Sequence, residues 1–244
     1  MKLTVYDDTI PLQLELEEPE DGKKSHPLVI VLHGLTGYME EPQFVTLTEH
    51  LLRRGFAVLL ADLYGHGKSG GSFYDHTLWK WISNILCLLD FTAVKGPFSE
   101  IYLLGHSQGG LAAMLAAPMV RDKVKGLILL APAVRIPQQA REGSLFHLSF
   151  DPHHIPRELS FGERTISGNY ARVAQTLQAE EAARAFDGPV LFIHGEADER
   201  VPLDVSVEAA KMYKNAQLIT IPGDTHDFDN HADKMAEAAA EWLR

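Results

Sequence analysis

Ile101-Tyr102-Leu103-Leu104-Gly105-His106-Ser107-Gln108-Gly109-Gly110 runs from an apolar stretch into a glycine-rich turn, and an Ala-rich segment over 111–119 follows it. The order is strand, sharp turn, helix. Gly-x-Ser-x-Gly in that setting puts a serine on a tight bend at the carboxyl end of a strand, with its hydroxyl projecting above the sheet. Gly105 and Gly109 are needed because side chains would clash in so tight a turn. The start of the following helix favours negative charge developing beside Ser107.

On either side of this stretch the chain repeats one theme. Leu28-Val29-Ile30-Val31-Leu32 is continuously apolar, and similar runs occupy 56–61, 127–130, 190–193 and 218–221. Runs without alternation suit strands covered on both faces, as in parallel sheets. Between them the spacing predicts helices over 44–54, 78–94, 111–119, 205–213 and 232–243, the first stopping at Gly55. Strands alternating with helices give right-handed βαβ units. The first residues differ: around 3–6 and 11–17 every second residue is apolar, the period of a half-exposed strand. The expected fold class is α/β: a mostly parallel central sheet with helices on both faces and an N-terminal antiparallel edge hairpin. One connection is too long for a plain crossover. Residues 134–186 are polar, carry Pro137, Pro152 and Pro156, and hold several aromatics. They read as an inserted cap over the carboxyl ends of the strands, with 1–133 and 187–244 as the core.

A serine hydroxyl needs a base, and the base needs an acid to orient it. With this kind of elbow the chain order is serine, acid, histidine. Two later strand ends supply both. The run 190–193 leads into His194-Gly195-Glu196-Ala197-Asp198, and 218–221 leads into Pro222-Gly223-Asp224-Thr225-His226. Asp198 is chosen as the acid over Glu196, which lies closer to the strand end. His226 is chosen as the base over His231, which falls where the last helix should begin. A tetrahedral oxyanion also needs two fixed N–H donors. The Gln108 backbone supplies one. The loop His33-Gly34-Leu35-Thr36-Gly37, which follows the first buried run, supplies the other through Leu35. His33 itself is read as bracing this loop, and the loop 62–70 as shaping the floor of the site.

Composition narrows the alternatives. The 244 residues hold 22 Lys plus Arg against 33 Asp plus Glu, a net charge of −11, which suits no polyanion, so no nucleic-acid partner is expected. Cys87 is the single cysteine. No Cys/His set has metal-ligand spacing, so neither a disulfide framework nor a metal is expected, and no cofactor is needed. No run approaches the ~18 apolar residues of a membrane span, and residues 1–8 lack the apolar stretch of a signal peptide. The expectation is a soluble cytoplasmic protein acting on a small molecule, with a homodimer left open.

With these residues in hand the chain resembles the α/β-hydrolase superfamily over nearly its whole length. More narrowly it resembles the bacterial cinnamoyl (feruloyl) esterases. The shared segments are 33–37, 62–69, 105–110, Asn169-Tyr170-Ala171-Arg172-Val173-Ala174-Gln175-Thr176 and 221–226. The resemblance implies a serine carboxylic-ester hydrolase that cleaves feruloyl, caffeoyl and coumaroyl esters through an acyl-enzyme. It implies Ser107, Asp198 and His226 as the triad, the Leu35 and Gln108 amides as the oxyanion hole, and a small cap closing over the aromatic acyl group. It also places Gln139 and Tyr170 near the phenolic end of the substrate. Relatives often carry Phe where Leu35 stands, so stacking near the oxyanion loop is weaker here. Two other readings stay open: a lipase-like hydrolase of acylglycerols or lysophospholipids, and a non-catalytic receptor on the same fold. The lipase-like reading wants an apolar cap, whereas this insertion mixes Gln138, Gln139, Tyr170 and Gln175 with Phe146, Phe150 and Phe161.

Overall fold

Every apolar run read as a buried strand lies in one sheet of the computed structural model, which describes residues 1–243. The chain forms β1 (Lys2–Asp7), β2 (Ile10–Glu17), β3 (His26–Leu32), α1 (Pro42–Arg53), β4 (Ala57–Ala61) and α2 (Leu78–Lys95). It continues through β5 (Phe98–His106), α3 (Gln108–Ala116), a 3-10 turn (Ala117–Val120) and β6 (Gly126–Leu130). The insertion then contributes α4 (Ile136–Glu142), the two-residue strands β7 (Ser144–Leu145) and β8 (Leu148–Ser149), β9 (Glu158–Phe161), β10 (Arg164–Ser167), α5 (Asn169–Thr176) and α6 (Ala179–Ala185). The last elements are β11 (Val190–Gly195), α7 (Leu203–Ala210), β12 (Ala216–Ile221) and α8 (Ala232–Trp242).

The main sheet has the order β1-β2-β4-β3-β5-β6-β11-β12. β1 and β2 pair antiparallel at one edge, β2 pairs antiparallel with β4, and the remaining pairs are parallel. The hairpin alternates as its sequence does, burying Leu12, Leu14 and Leu16. The parallel strands instead bury both faces. On β3, Leu28, Ile30 and Leu32 join the core beneath α2 and α3, while Val29 and Val31 join the core beneath α1 and α8. On α1 the buried stripe is Phe44, Leu47 and Leu51, set against Met235, Ala236 and Ala239 of α8. Each such leucine contributes about 1.5–3 kcal/mol by leaving water.

The order places the functional loops. From β3 the chain moves to β4 on one side, and it returns to β5 on the other. The loops leaving β3 and β5 therefore diverge and open a crevice at their carboxyl ends, where ligands bind in such sheets. Residues 33–37 and Ser107 stand at that crevice. The segment between β6 and β11 adds no strand to the main sheet. It is tied to the core by a hydrogen bond from the Ser167 amide to the Tyr74 carbonyl (2.8 Å) and by the buried face Tyr170, Ala171 and Ala174 of α5. Among the described residues no helix is long and apolar enough to cross a membrane.

Candidate active site

Ser107 sits between β5 and α3 with φ 53° and ψ −118°. Non-glycine residues are held in such a conformation only where their surroundings over-determine it. Here the Ser107 amide donates to the Leu130 carbonyl (2.8 Å), and the Ser107 carbonyl accepts from the Ala133 and Leu111 amides. The two glycines of the motif are explained by contact. A Cβ on Gly105 would lie 2.4 Å from the Gly109 carbonyl oxygen, and one on Gly109 would lie 2.3 Å from the His33 carbonyl oxygen.

Asp198 and His226, chosen from sequence as acid and base, meet beside this elbow, where His226 and Ser107 line one pocket. His226 Nδ1–H donates to Asp198 Oδ2 (2.6 Å), leaving Nε2 free to take a proton. Asp198 Oδ1 accepts from the Arg200 and Val201 amides at 2.8 and 2.9 Å. A second histidine, not assigned a role from sequence, completes the cradle. His194 Nε2–H is shared between the Val201 carbonyl (2.8 Å) and Asp198 Oδ2 (3.1 Å), while the Ser206 hydroxyl donates to its Nδ1 (2.7 Å). Its position at the carboxyl end of β11, four residues before Asp198, is the signal that could have found it. Burial alone pushes the Asp198 carboxyl up. The hydrogen bonds from His194 and His226 outweigh burial and hold it well below the usual carboxylate range. The two alternatives from sequence lie apart from this cradle: Glu196 is exposed and accepts from the Thr220 hydroxyl (2.7 Å), and His231 caps α8.

The loop 33–37, expected to supply an oxyanion donor, packs directly on Ser107. A Cβ on Gly34 would lie 3.1 Å from the Ser107 Cβ. The Gly37 amide donates to the Gly34 carbonyl (3.0 Å), closing a turn in which Thr36 has φ 69°. A β-branched residue in the left-handed region costs about 1–2 kcal/mol. His33 braces the turn: its Nδ1–H donates to the Gly34 carbonyl (2.8 Å) and its Nε2 accepts from the Leu63 amide (3.0 Å). Gln108 opens α3, so its N–H has no acceptor within the helix. Asp62, buried under the same loop, accepts from the Met39 and Lys68 amides (2.8 and 2.7 Å), which fixes the 62–70 loop as a floor.

Gly34, Leu35, Thr36, Gly37, Ser107 and His226 share one pocket of about 200 Å³ with Glu41, His106, Arg200 and Asp227. Arg200 pairs with Asp227 (2.9 Å). Burial raises the Glu41 carboxyl to about 7, Asp227 adds to the rise, and Arg200 opposes it. The two residues placed near the substrate by resemblance stand differently. Tyr170 is fully buried, and its hydroxyl donates to Gln108 Oε1 (2.6 Å). Gln139 is exposed on α4 and lines no part of this pocket.

A protein-family model described as serine aminopeptidase, S33, matches residues 23–160, more than half of the chain, and one described as TAP-like protein matches residues 162–244. Among solved structures, Est1E from Butyrivibrio proteoclasticus with ferulic acid bound is 47% identical with a TM-score of 0.96, over 99% of this chain and 97% of that one. The bifunctional esterase/perhydrolase DCH of Acinetobacter calcoaceticus is 23% identical over 84% of this chain and 87% of its own length. Human protein ABHD12B is 24% identical over 80% of this chain, and the match spans 52% of the human protein. The chain belongs to the α/β-hydrolase family and is a serine esterase.

Proposed function

We propose that this α/β-hydrolase cleaves hydroxycinnamate esters through an acyl-enzyme on Ser107. The observation that carries the reading is the 47% identity, over nearly the whole chain, to a structure holding ferulic acid. Ser107 Oγ attacks the ester carbonyl carbon while His226 Nε2 takes its proton. The Leu35 and Gln108 amides receive the oxyanion. Asp198, held as a carboxylate, keeps Nδ1 protonated and stabilises the imidazolium. His226 then gives its proton to the departing alkoxide, and water repeats the steps on the feruloyl-Ser107 ester to release ferulate.

Residues 134–186 act as the cap. Support comes from an aromatic cluster that suits a planar acyl group. Phe146 stacks on Phe161 (4.4 Å between ring centres), Phe146 lies 5.3 Å from Tyr170, and Phe73 lies 6.3 Å from Phe161. The same reading makes the protein cytoplasmic, in keeping with one unpaired thiol, Cys87, and leaves nucleic acid aside, in keeping with a net charge of −11.

A panel at equal concentration tests the assignment: methyl ferulate, chlorogenate, p-nitrophenyl acetate and a monoacylglycerol. The hydroxycinnamate esters should exceed the monoacylglycerol in kcat/KM by about ten- to hundred-fold, the scale on which a shaped pocket discriminates. A preference for the monoacylglycerol would move the protein to the lipase-like reading.

A further inference from the structure

Gln108 offers more to the site than its amide. Its side chain is closed at both ends by buried partners: Tyr170 Oη–H donates to Oε1 (2.6 Å), and Nε2–H donates to His76 Nε2 (2.6 Å). Gln108 is 1% exposed, and His76 and Tyr170 are both 0% exposed. The partners come from distant parts of the chain. His76 precedes α2, Gln108 opens α3, and Tyr170 lies on α5 of the insertion. The His76 ring also packs against Trp81 (4.6 Å) and Tyr170 (5.5 Å). Burial holds His76 neutral, well below its ordinary value, so its Nε2 stays an acceptor for the amide.

An amide fixed at both ends leaves the Gln108 side chain one rotamer. It thereby restricts the peptide that joins Gln108 to Ser107, whose backbone is already strained at φ 53°. That peptide carries the N–H that receives the oxyanion. Transition-state stabilisation by such a donor depends on its being oriented before charge develops.

We propose that Tyr170 and His76 are positioning residues, holding the Gln108 amide at the oxyanion through the Gln108 side chain, so that the insertion completes the catalytic site as well as covering it. The inference rests on Ser107 as nucleophile and Gln108 as oxyanion donor. It departs from the expectation that the Tyr170 hydroxyl reads the phenolic end of the substrate.

The test uses Tyr170→Phe and Gln108→Ala, singly and together, with rates scaled to active sites titrated by a phosphonylating probe so that unfolded protein is not counted. Substrates are methyl ferulate, methyl cinnamate and p-nitrophenyl acetate. A trifluoromethyl ketone, whose hemiketal oxygen occupies the oxyanion position, reports on the donor itself, and free ferulate reports on the acyl pocket. Each single variant should lower kcat about ten-fold on all three substrates with KM little changed, the scale of one buried hydrogen bond. The ketone should weaken by the same factor while ferulate affinity stays level, and the double variant should be no worse than the poorer single one. A loss confined to methyl ferulate would overturn the proposal, because Tyr170 would then be touching the phenol. Ketone affinity unchanged while kcat falls, or single losses that multiply in the double variant, would overturn it as well. A wild-type enzyme inactive on methyl ferulate would instead remove the substrate assignment, and the positioning role would still be read on p-nitrophenyl acetate.

Discussion

Ser107→Ala should abolish ester hydrolysis and leave the fold intact. The residue lies half-buried at the pocket, so losing its oxygen opens no core cavity. The elbow is held by the Ser107 backbone bonds to Leu130, Ala133 and Leu111, which alanine keeps. Stability should therefore move by no more than about 0.5 kcal/mol. Activity should fall by roughly 10⁴ or more, because removing any member of a triad removes its concerted action. Steady-state kinetics on methyl ferulate, with thermal unfolding measured in parallel, reads both halves. Retention of more than about a hundredth of kcat would remove Ser107 from the mechanism.

The second large effect is a loss of stability in mild acid. Burial lowers His33 to about 4. Burial, reinforced by the neighbouring His33, lowers His66 to about 3. Burial, reinforced by His226, lowers His106 to about 3, and His76 is held well below its ordinary value by burial, with His66 adding to the shift. His66 packs against two of the others, 5.3 Å from His33 and 5.2 Å from His76, so a charge on one opposes a charge on the next. In the unfolded chain each histidine takes up a proton below about 6.5. In the folded chain they stay neutral until much lower. The unfolded state thus binds more protons, and stability falls as pH drops from about 6.5. At pH 5 the linkage costs about 2 kcal/mol for each of His33, His66 and His106, roughly 6 kcal/mol for the three, with His76 adding in the same direction; this is a large share of the stability of a typical domain. The Asp198 carboxylate changes nothing in this window, since its stabilisation is lost only below the ordinary carboxylate value near 3.8, whereas Glu41, raised to about 7, takes up its proton in the folded protein over the same window and offsets part of the loss. Urea midpoints should decline from pH 7 through 6 to 5. Equal midpoints at pH 7 and 5 would show that these rings are already charged or solvated in the folded protein.

The sheet was legible because its strands are of two readable kinds. Leu28–Leu32 is apolar throughout and ends up between two cores, while 12–16 alternates and ends up half-exposed. The elbow was legible because it follows a strand end, and so were the two residues, Asp198 and His226, that the structure joins by a hydrogen bond of 2.6 Å, because each follows a later strand end in a fixed order. What escaped is what crosses the chain. Nothing in the spacing of Tyr170 and Gln108, 62 residues apart, tells that one hydroxyl is bonded to the other's amide. His194 reads like any strand-end histidine until Asp198 folds back beneath it. Helix α3 begins at Gln108 rather than at the first large apolar residue, because all nine of its residues are buried and no amphipathic period marks its start. Inside the insertion, strands of two to four residues are too short for any period to show.

The most direct test of the account is to quench the enzyme in acid during turnover of methyl ferulate and to weigh its peptides. The peptide carrying Ser107 should gain the mass of one feruloyl group, and the gain should vanish in Ser107→Ala. A feruloyl group found on another residue, or turnover of the ester with no acyl-enzyme at any quench time and no pre-steady-state burst, would contradict an acyl-enzyme on Ser107.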